Sequence, residues 1–433
     1  MSNSSFAQRL AVRSALPKFS VGMQRAITIG FLAPLSGPVE SWGLPGLNGC
    51  RMWVDWLNRA GGVLLGGRRF PVKLEAYDCG YESERALDGA RHLVQEHDVS
   101  LMMMLGGDSF SAVRDYLMGQ KVLTSSLLTS DLSPDTPYLI APGESLPIYT
   151  VTAVDWVARH RPEIRTVALC AQTDALGLPA LAAYRAAFKA AGIRIVEEVR
   201  YDPETAQAQD VVAPMLARSP DMLCWCASYT PMVHAMTEYA FAQGFAGQIL
   251  SCTADSYEQL IALTSPDFME GFLFQFPDFD DPLLAEKAFF FNQPQVFFDE
   301  YNARFPGSWT AVSWEYAAIL DIWQSAVERA GTVNSVSVLA AMRQMGQAIH
   351  AFGPAQWWGE DMFGLNHTLI GDWPVVQIRD GKARIVEFGS IPDWLARNEA
   401  LLREEMEALG QLWHQRHGQG PGKACLDARL VSQ

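Results

Sequence analysis

The first residue of this chain whose type and setting suggest chemistry is Trp42, in the run Ser36-Gly37-Pro38-Val39-Glu40-Ser41-Trp42-Gly43. It stands in a glycine- and proline-rich loop rather than on a periodic face. A tryptophan so placed offers a rigid wall to a small ligand, or packs on a surface. Ser109 comes next, between an apolar run (99–105) and a helical pattern. Backbone N–H groups at a helix start, with a hydroxyl beside them, suit an anion such as a carboxylate. Ser109 reads equally as a helix cap, and both roles are compatible. Asp108 beside it repels an anion or does the capping itself. Thr129 and Ser130 follow the strand pattern 122–128, where hydroxyls either face a ligand or simply make a turn.

Reactions are harder to find. There is no G-x-S-x-G nucleophile turn, no H-E-x-x-H and no G-x-G-x-x-G. The only near phosphate-binding loop, 418–424, lacks both a preceding strand and the Ser/Thr. His92 and His97 are five apart, a spacing that puts them on different helical faces. Cys224 and Cys226 alternate along a strand pattern and so point to opposite sides of it. No metal and no cofactor are expected. The seven cysteines lie largely in apolar runs and read as small buried hydrophobes. An odd number without a framework fits a reducing compartment slightly better than an oxidising one.

These residues must be held by an α/β scaffold. Residues 27–35 form an apolar run short enough for one buried strand, and Met52, Trp53, Trp56 and Leu57 recur at helical spacing before Gly61-Gly62. Strand and helix patterns then alternate: strands at 70–77, 99–105 and 122–128, with helices at 82–96 and from Ser109 to about 118. A second series follows, with strands at 166–172, 194–201, 222–227 and 248–252 and helices at 178–191, 206–217 and 231–243. Such alternation predicts parallel, doubly wound sheets, in which ligands sit at the carboxyl ends of strands. Residues 374–378 and 383–388 around Asp380-Gly381 read as a hairpin. Beyond Pro392, Trp394, Leu395, Leu402, Met406, Leu409 and Trp413 make an apolar stripe on a charged helix. That stripe must bury against its own lobe or a partner.

The order and spacing of several short motifs resemble the type I periplasmic solute-binding proteins, in particular the branched-chain amino-acid and amide-binding group of ABC-transporter components. The motifs are Leu35-Ser36-Gly37-Pro38 with Trp42-Gly43, Asn58 with Gly61-Gly62, Tyr77-Asp78, 138–143, Tyr229, Glu270-Gly271 and Gly353-Pro354. The resemblance covers about 26–388. It implies two doubly wound lobes joined by three crossing segments. The first lobe then comprises 26–142 and 275–353, the second 143–274 and 354–390. A C-terminal amphipathic helix at 391–416 follows, between a leaderless N-terminal segment (1–25) and a disordered tail (417–433).

The same resemblance implies ligand contacts for Trp42, Ser109, Thr129, Ser130 and Tyr229. It puts Thr253 or Ala254, or Asp255 if the loop shifts, where amino-acid binders carry a glutamate for the ligand ammonium; Asp255 reads equally as a helix cap. Gly107 stands where a serine is usual, and Leu176 where tyrosine is common. A disulfide found in some relatives is not expected, because Gly106 occupies its second position. These changes predict a small carboxylate or amide without an α-ammonium, in preference to leucine or valine.

A formal net charge of −15 disfavours nucleic acid and anionic membrane surfaces. With 49% hydrophobic and 19% charged residues over 433 positions, a large core is available. No run of 18 apolar residues exists, so no membrane insertion is expected. Arg9, Arg13 and Lys18 interrupt every candidate signal core, which predicts a cytoplasmic protein as written and a periplasmic one if the start lies elsewhere, Met23 being one alternative. The leading function is a non-enzymatic binding protein that closes by hinge motion on a small-molecule ligand and serves an ABC permease. A cytoplasmic amide-type sensor acting on a regulatory protein is the alternative, and a hydrolytic enzyme a distant third.

Overall fold

The computed structural model describes residues 26–254, 256–285, 293–344 and 348–416. The segments expected at 1–25 and 417–433 lie outside the described residues. Two sheets organise the chain. The first has five strands in the order Val72–Asp78, Ile27–Ala33, Leu101–Met104, Thr124–Ser126, Leu139–Ile140, and every pairing is parallel. Ile27–Ala33 and Leu101–Met104 are buried on both faces, which is why they read as continuous apolar runs.

The second sheet has nine strands. Its parallel part runs Arg194–Tyr201, Thr166–Gln172, Met222–Trp225, Gln248–Ser251, Leu273–Phe274. The long strand Thr368–Arg379 then adds antiparallel to Leu273–Phe274. Its C-terminal part pairs with Lys382–Ser390, and its start pairs with Gly353–Trp358, which pairs in turn with Ala348–His350. The expected hairpin is therefore present but longer. Gly353-Pro354 begins a strand of this sheet.

The sheets are stitched together where the chain passes between them. Ala141 bridges Thr368 in parallel, with Ala141 N–H donating to the His367 carbonyl at 2.9 Å and Thr368 Oγ1 donating to the Ala141 carbonyl at 2.8 Å. Thr129 donates through both its N–H and its hydroxyl to the Leu146 carbonyl. Buried backbone groups at such passages need partners, and these side chains supply them.

Helices Leu44–Arg59 and Val312–Ala330 pack closely on the first sheet's side of the molecule. A β-carbon on Gly49 would lie 1.8 Å from the Ser313 carbonyl oxygen, and one on Gly46 2.3 Å from the Tyr316 ring. The two glycines, three residues apart on one face, let the helix backbones approach.

The helix Ile391–Ala408 buries Trp394, Leu395, Leu402 and Met406 and docks on Gly177–Ala191 of its own lobe. Within that contact the buried Glu405 carboxylate sits 2.6 Å from Arg185 Nε and also pairs with Lys189. The helix is shorter than expected: it ends at Ala408, Gly410 takes a left-handed conformation, and Trp413–Arg416 forms a separate turn. No helix among the described residues is long and apolar enough to cross a membrane. Six cysteines are described, and all are buried free thiols.

One expectation is corrected. A five-residue step leaves two side chains about 140° apart around a helix, yet His92 Nε2 and His97 Nε2 lie 3.3 Å apart. His97 is the last residue of the helix Ser83–His97, and Asp98 turns left-handed with φ 51°. Its ring is therefore not held by a following turn and reaches back.

The docking of the C-terminal helix yields a prediction. Leu402 is fully buried, so Leu402→Ala should lower unfolding free energy by about 2–5 kcal/mol in urea denaturation. A loss below about 1 kcal/mol would show that the helix rests loosely on the lobe.

Candidate functional site

Parallel strands deliver their following loops to one edge of each sheet, and the two edges face each other here. Three aspartates pin these loops. Asp78, at the end of its strand, accepts from the Leu35 and Gly80 N–H groups, from the Ser36 hydroxyl at 2.6 Å and from Arg85. Burial pushes its carboxyl up, but these donors outweigh burial and hold it down at about 2. Asp131 accepts from Gly107 N–H at 3.0 Å and from the Ser126 hydroxyl at 2.5 Å, joining two successive strand-end loops. Gly106 and Gly107 both have positive φ, and a β-carbon on Gly106 would lie 2.1 Å from Ser126 Oγ. Asp174 accepts from the Leu176 and Gly177 N–H groups and from the Gln172 amide, and so shapes the first loop of the second lobe.

Between these loops the lobes meet through rings and hydroxyls. Trp42 lies edge-on to Tyr229 with centroids 5.8 Å apart, and Tyr81 meets the other side of Tyr229 at 6.3 Å. The Tyr229 hydroxyl donates to Asp174 at 3.0 Å. Ser41 and Thr230 hydroxyls are 3.1 Å apart, and Ser130 Oγ donates across to the Ala175 carbonyl at 3.5 Å. Burial, then the Tyr229 phenol and Asp108, raise the Tyr81 hydroxyl well above its ordinary range. Burial and then Asp174 do the same for Tyr229. Both therefore stay neutral donors at physiological pH.

Behind this aromatic seam lies a narrow cavity of about 40 Å³. The first lobe contributes Trp42, Leu105, Leu127 and Leu128. Leu176, Cys252 and Thr253 come from the second, and Glu144, Leu146, Tyr149 and Phe276 from the passages between the sheets. Ala311, Val312 and Glu315 close it from the helix Val312–Ala330 and its start. The wall is apolar apart from the Glu144 and Glu315 carboxyls, the Tyr149 hydroxyl, which donates to the Cys252 carbonyl at 3.2 Å, and the Thr253 hydroxyl, which accepts from Ser228 N–H. Apolar walls with a few placed polar groups are the usual make-up of small-molecule sites.

Of the expected ligand residues, Trp42 lines the cavity, and Tyr229 and Ser130 close the seam beside it. The Ser109 hydroxyl donates to the Gly106 carbonyl at 2.9 Å, with Gly107 in the cap position. The Thr129 hydroxyl is committed to Leu146. Asp255 lies outside the described residues. Thr253, weighed as the counterpart of the family glutamate, faces the cavity, and so does Leu176.

Residues that the sequence reading missed are Tyr81, Glu144, Tyr149, Phe276 and Glu315. A single acid in the otherwise apolar Ile140-Ala141-Pro142-Gly143-Glu144 was a usable signal for Glu144. Glu315 had none, because its helix is buried on every side over 312–320 and shows no periodicity. Tyr81 takes a positive φ of 64°, and a β-carbon on Gly107 would lie 2.5 Å from its hydroxyl. The space of the usual serine is thus occupied by Tyr81.

A larger depression, of about 510 Å³, lies at the opposite edge of the second sheet, around Arg161, Asp221, Gln248 and Glu270. Its polar groups are engaged: Asp221 accepts from Arg165 and Thr166, and Arg161 pairs with Glu163. It receives groups from one lobe only, whereas the smaller cavity is shared by both.

Residues 26–383 match the family described as periplasmic binding protein. Among solved structures, the leucine binding protein LivK from Thermotoga maritima matches with a TM-score of 0.69 at 16% identity, over 85% of this chain and 100% of that one. An ABC-transporter solute binding protein from R. palustris, solved in complex with 4-hydroxybenzoate, matches at 0.70 and 19%, over 86% and 99%. A fatty acid ABC transporter substrate-binding protein from Thermomonospora curvata matches at 0.66 and 20%, over 84% and 92%. At these identities the structural likeness concerns the fold, two α/β lobes around a cleft.

The carboxyls bracing the site generate a pH prediction. Burial raises Asp131 to about 7 and Asp278, which accepts from the Tyr257 hydroxyl at 2.7 Å, to about 6. In the unfolded chain both titrate near 3.9. Above about pH 4 the unfolded state gives up these protons first, so stability falls as pH rises toward 7. Buried His367 acts oppositely at the acid end, since burial lowers its pKa. The test therefore compares variants. Wild type should gain more in melting temperature between pH 8 and pH 5 than Asp131→Asn or Asp278→Asn does. Parallel profiles would contradict the assignment.

Proposed function

We propose, because the chain belongs to the periplasmic binding protein family, that it captures a small organic solute in the cleft between its lobes and delivers it to an ABC-type permease. The chain is a solute-binding protein and not an enzyme. The observation that carries the reading is the cavity behind Trp42, walled by both lobes and by the passages between them. A ligand touching both halves stabilises the closed arrangement by its differential affinity for it. Closure would bring the body built on the first sheet against that built on the second. The contacts at the seam suit such motion: Trp42 with Tyr229, Ser41 with Thr230 and Ser130 with Ala175 are few and easily exchanged for water.

The wall suits a solute with an apolar, aromatic-compatible body and a neutral hydrogen-bonding end such as an amide or hydroxyl. Thr253 or Ala254, or Asp255 if the loop shifts, stands where amino-acid binders place a glutamate, and Leu176 stands where tyrosine is common. The Glu144 and Glu315 carboxyls stand in the same wall and would repel a second carboxylate, which ranks neutral amides and hydroxylated aromatics ahead of simple acids and leaves the comparison with leucine to titration. The R. palustris relative in complex with 4-hydroxybenzoate supports testing this class first. Work with a permease places the protein on the periplasmic side. Fractionation of the source cells against a periplasmic marker tests that placement, and protein confined to the cytoplasm would favour the sensor role instead.

Calorimetric titration with benzamide, 4-hydroxybenzoate, benzoate, leucine and valine tests the ligand class. An amide or hydroxylated aromatic should bind at micromolar Kd or better, roughly −8 kcal/mol, and leucine more weakly. Trp42→Ala should weaken that binding about tenfold or more, the loss of one packed anchor. Tight leucine binding without response to the others would overturn the ligand class. Solution scattering should show a smaller radius of gyration with ligand, and an unchanged radius would argue against hinge closure.

A further inference from the structure

The helix Ser83–His97 returns from the cleft edge of the first sheet to the opposite edge, so its last turns lie away from the ligand cavity. There His92 and His97 face each other with Nε2 atoms 3.3 Å apart and ring planes at 73°. The other nitrogen of each ring faces a carboxylate. His92 Nδ1 is 3.2 Å from Glu96 Oε1, and His97 Nδ1 is 3.9 Å from Glu75 Oε1 on the neighbouring edge strand. Glu75 is itself paired with Lys73.

The two ring nitrogens share one hydrogen bond as they stand, and a pair so spaced can also chelate a metal ion. Metal-bound imidazoles use one nitrogen for the ion and donate from the other to a carboxylate, which fixes the tautomer and raises ligand basicity. Two nitrogens at about 2.0–2.1 Å from a tetrahedral zinc ion lie about 3.3–3.4 Å from each other, the separation seen here. Donor atoms of His92, Glu96 and His97 all fall within 4.8 Å of one another. His92 and Glu96 retain 40% and 67% side-chain exposure, so an ion can reach them from solvent and keep water in its remaining positions. A hard cation such as Mg²⁺ or Ca²⁺ prefers oxygen ligands, whereas imidazole pairs suit zinc, copper and nickel.

We propose that His92 and His97, through their Nε2 atoms and with Glu96 beside them, form a binding site for a divalent transition-metal ion, zinc being the reference case. The site is separate from the solute cleft, joins the end of the helix to the edge strand through Glu75, and stabilises that corner of the first lobe when filled. It does not depend on the ligand reading above.

Titration of chelator-stripped full-length protein with ZnCl₂ tests it, with the melting temperature followed in parallel. One ion should bind per chain and raise the melting temperature by mass action. His92→Ala and His97→Ala should each weaken zinc at least tenfold, while Glu96→Gln weakens it less. Cobalt(II) should give the visible absorption of a low-coordinate site in the wild type and lose it in the double variant. Both histidines are partly exposed, so the variants should keep the wild-type circular dichroism and solute affinity. Equal zinc affinity in wild type and double variant, or no zinc response in wild type, would overturn the proposal.

Discussion

The structure depends on one geometric constraint: parallel sheets place every strand-to-helix loop at a single edge, and two such edges are set face to face. Trp42, Ser109 and Ser130 share the edge of the first sheet, while Asp174, Tyr229 and Thr253 share that of the second. Nothing local makes these residues neighbours. They meet because Ala141 and Thr368 stitch the sheets at one passage and Thr129 holds Leu146 at another.

Holding such loops still requires polar groups that leave no freedom. Asp78, Asp131 and Asp174 each gather several donors from backbone or side chains. An ionised carboxylate receiving that many hydrogen bonds fixes its loop better than apolar packing does, since each donor constrains direction as well as distance. The price is desolvation. Asp78 overcomes it, whereas Asp131 does not and is pushed up toward neutrality. The first braces the Trp42 loop at all physiological pH values, and the second gives its loops a dependence on pH.

The same contrast separates the two regions that could bind something. At the cleft, aromatic rings and hydroxyls meet through weak, exchangeable contacts, suited to opening and closing. At the far corner, His92 and His97 meet through a ring-to-ring hydrogen bond with carboxylates nearby, in a geometry that has no role in closure. A solute site benefits from movable walls, and a metal site from fixed donors.

Local patterns in the sequence determined the two α/β series, because each strand and helix carries its own periodicity: Thr166–Gln172 was legible at its observed bounds, and Ile27–Ala33 and Ser83–His97 to within two residues. Trp42 was also legible, because a large ring in a turn-rich loop has no packing period to explain it. The C-terminal stripe announced that it needed burial, but not that Glu405 would meet Arg185 and Lys189 beneath it. Apart from Glu144, a lone acid in an apolar run, tertiary structure decided the newly found cavity wall. Tyr149, Phe276 and Glu315 come from the passages and from a helix buried all round, where no period distinguishes the face that meets a ligand. It likewise decided the engagement of Ser109 and Thr129 with backbone carbonyls, since a hydroxyl's partner depends on which atom lies within 3 Å and not on its neighbours in the chain. The meeting of His92 and His97 belongs there too: helical spacing separates them, and only the ending of the helix at His97 lets the rings turn toward each other.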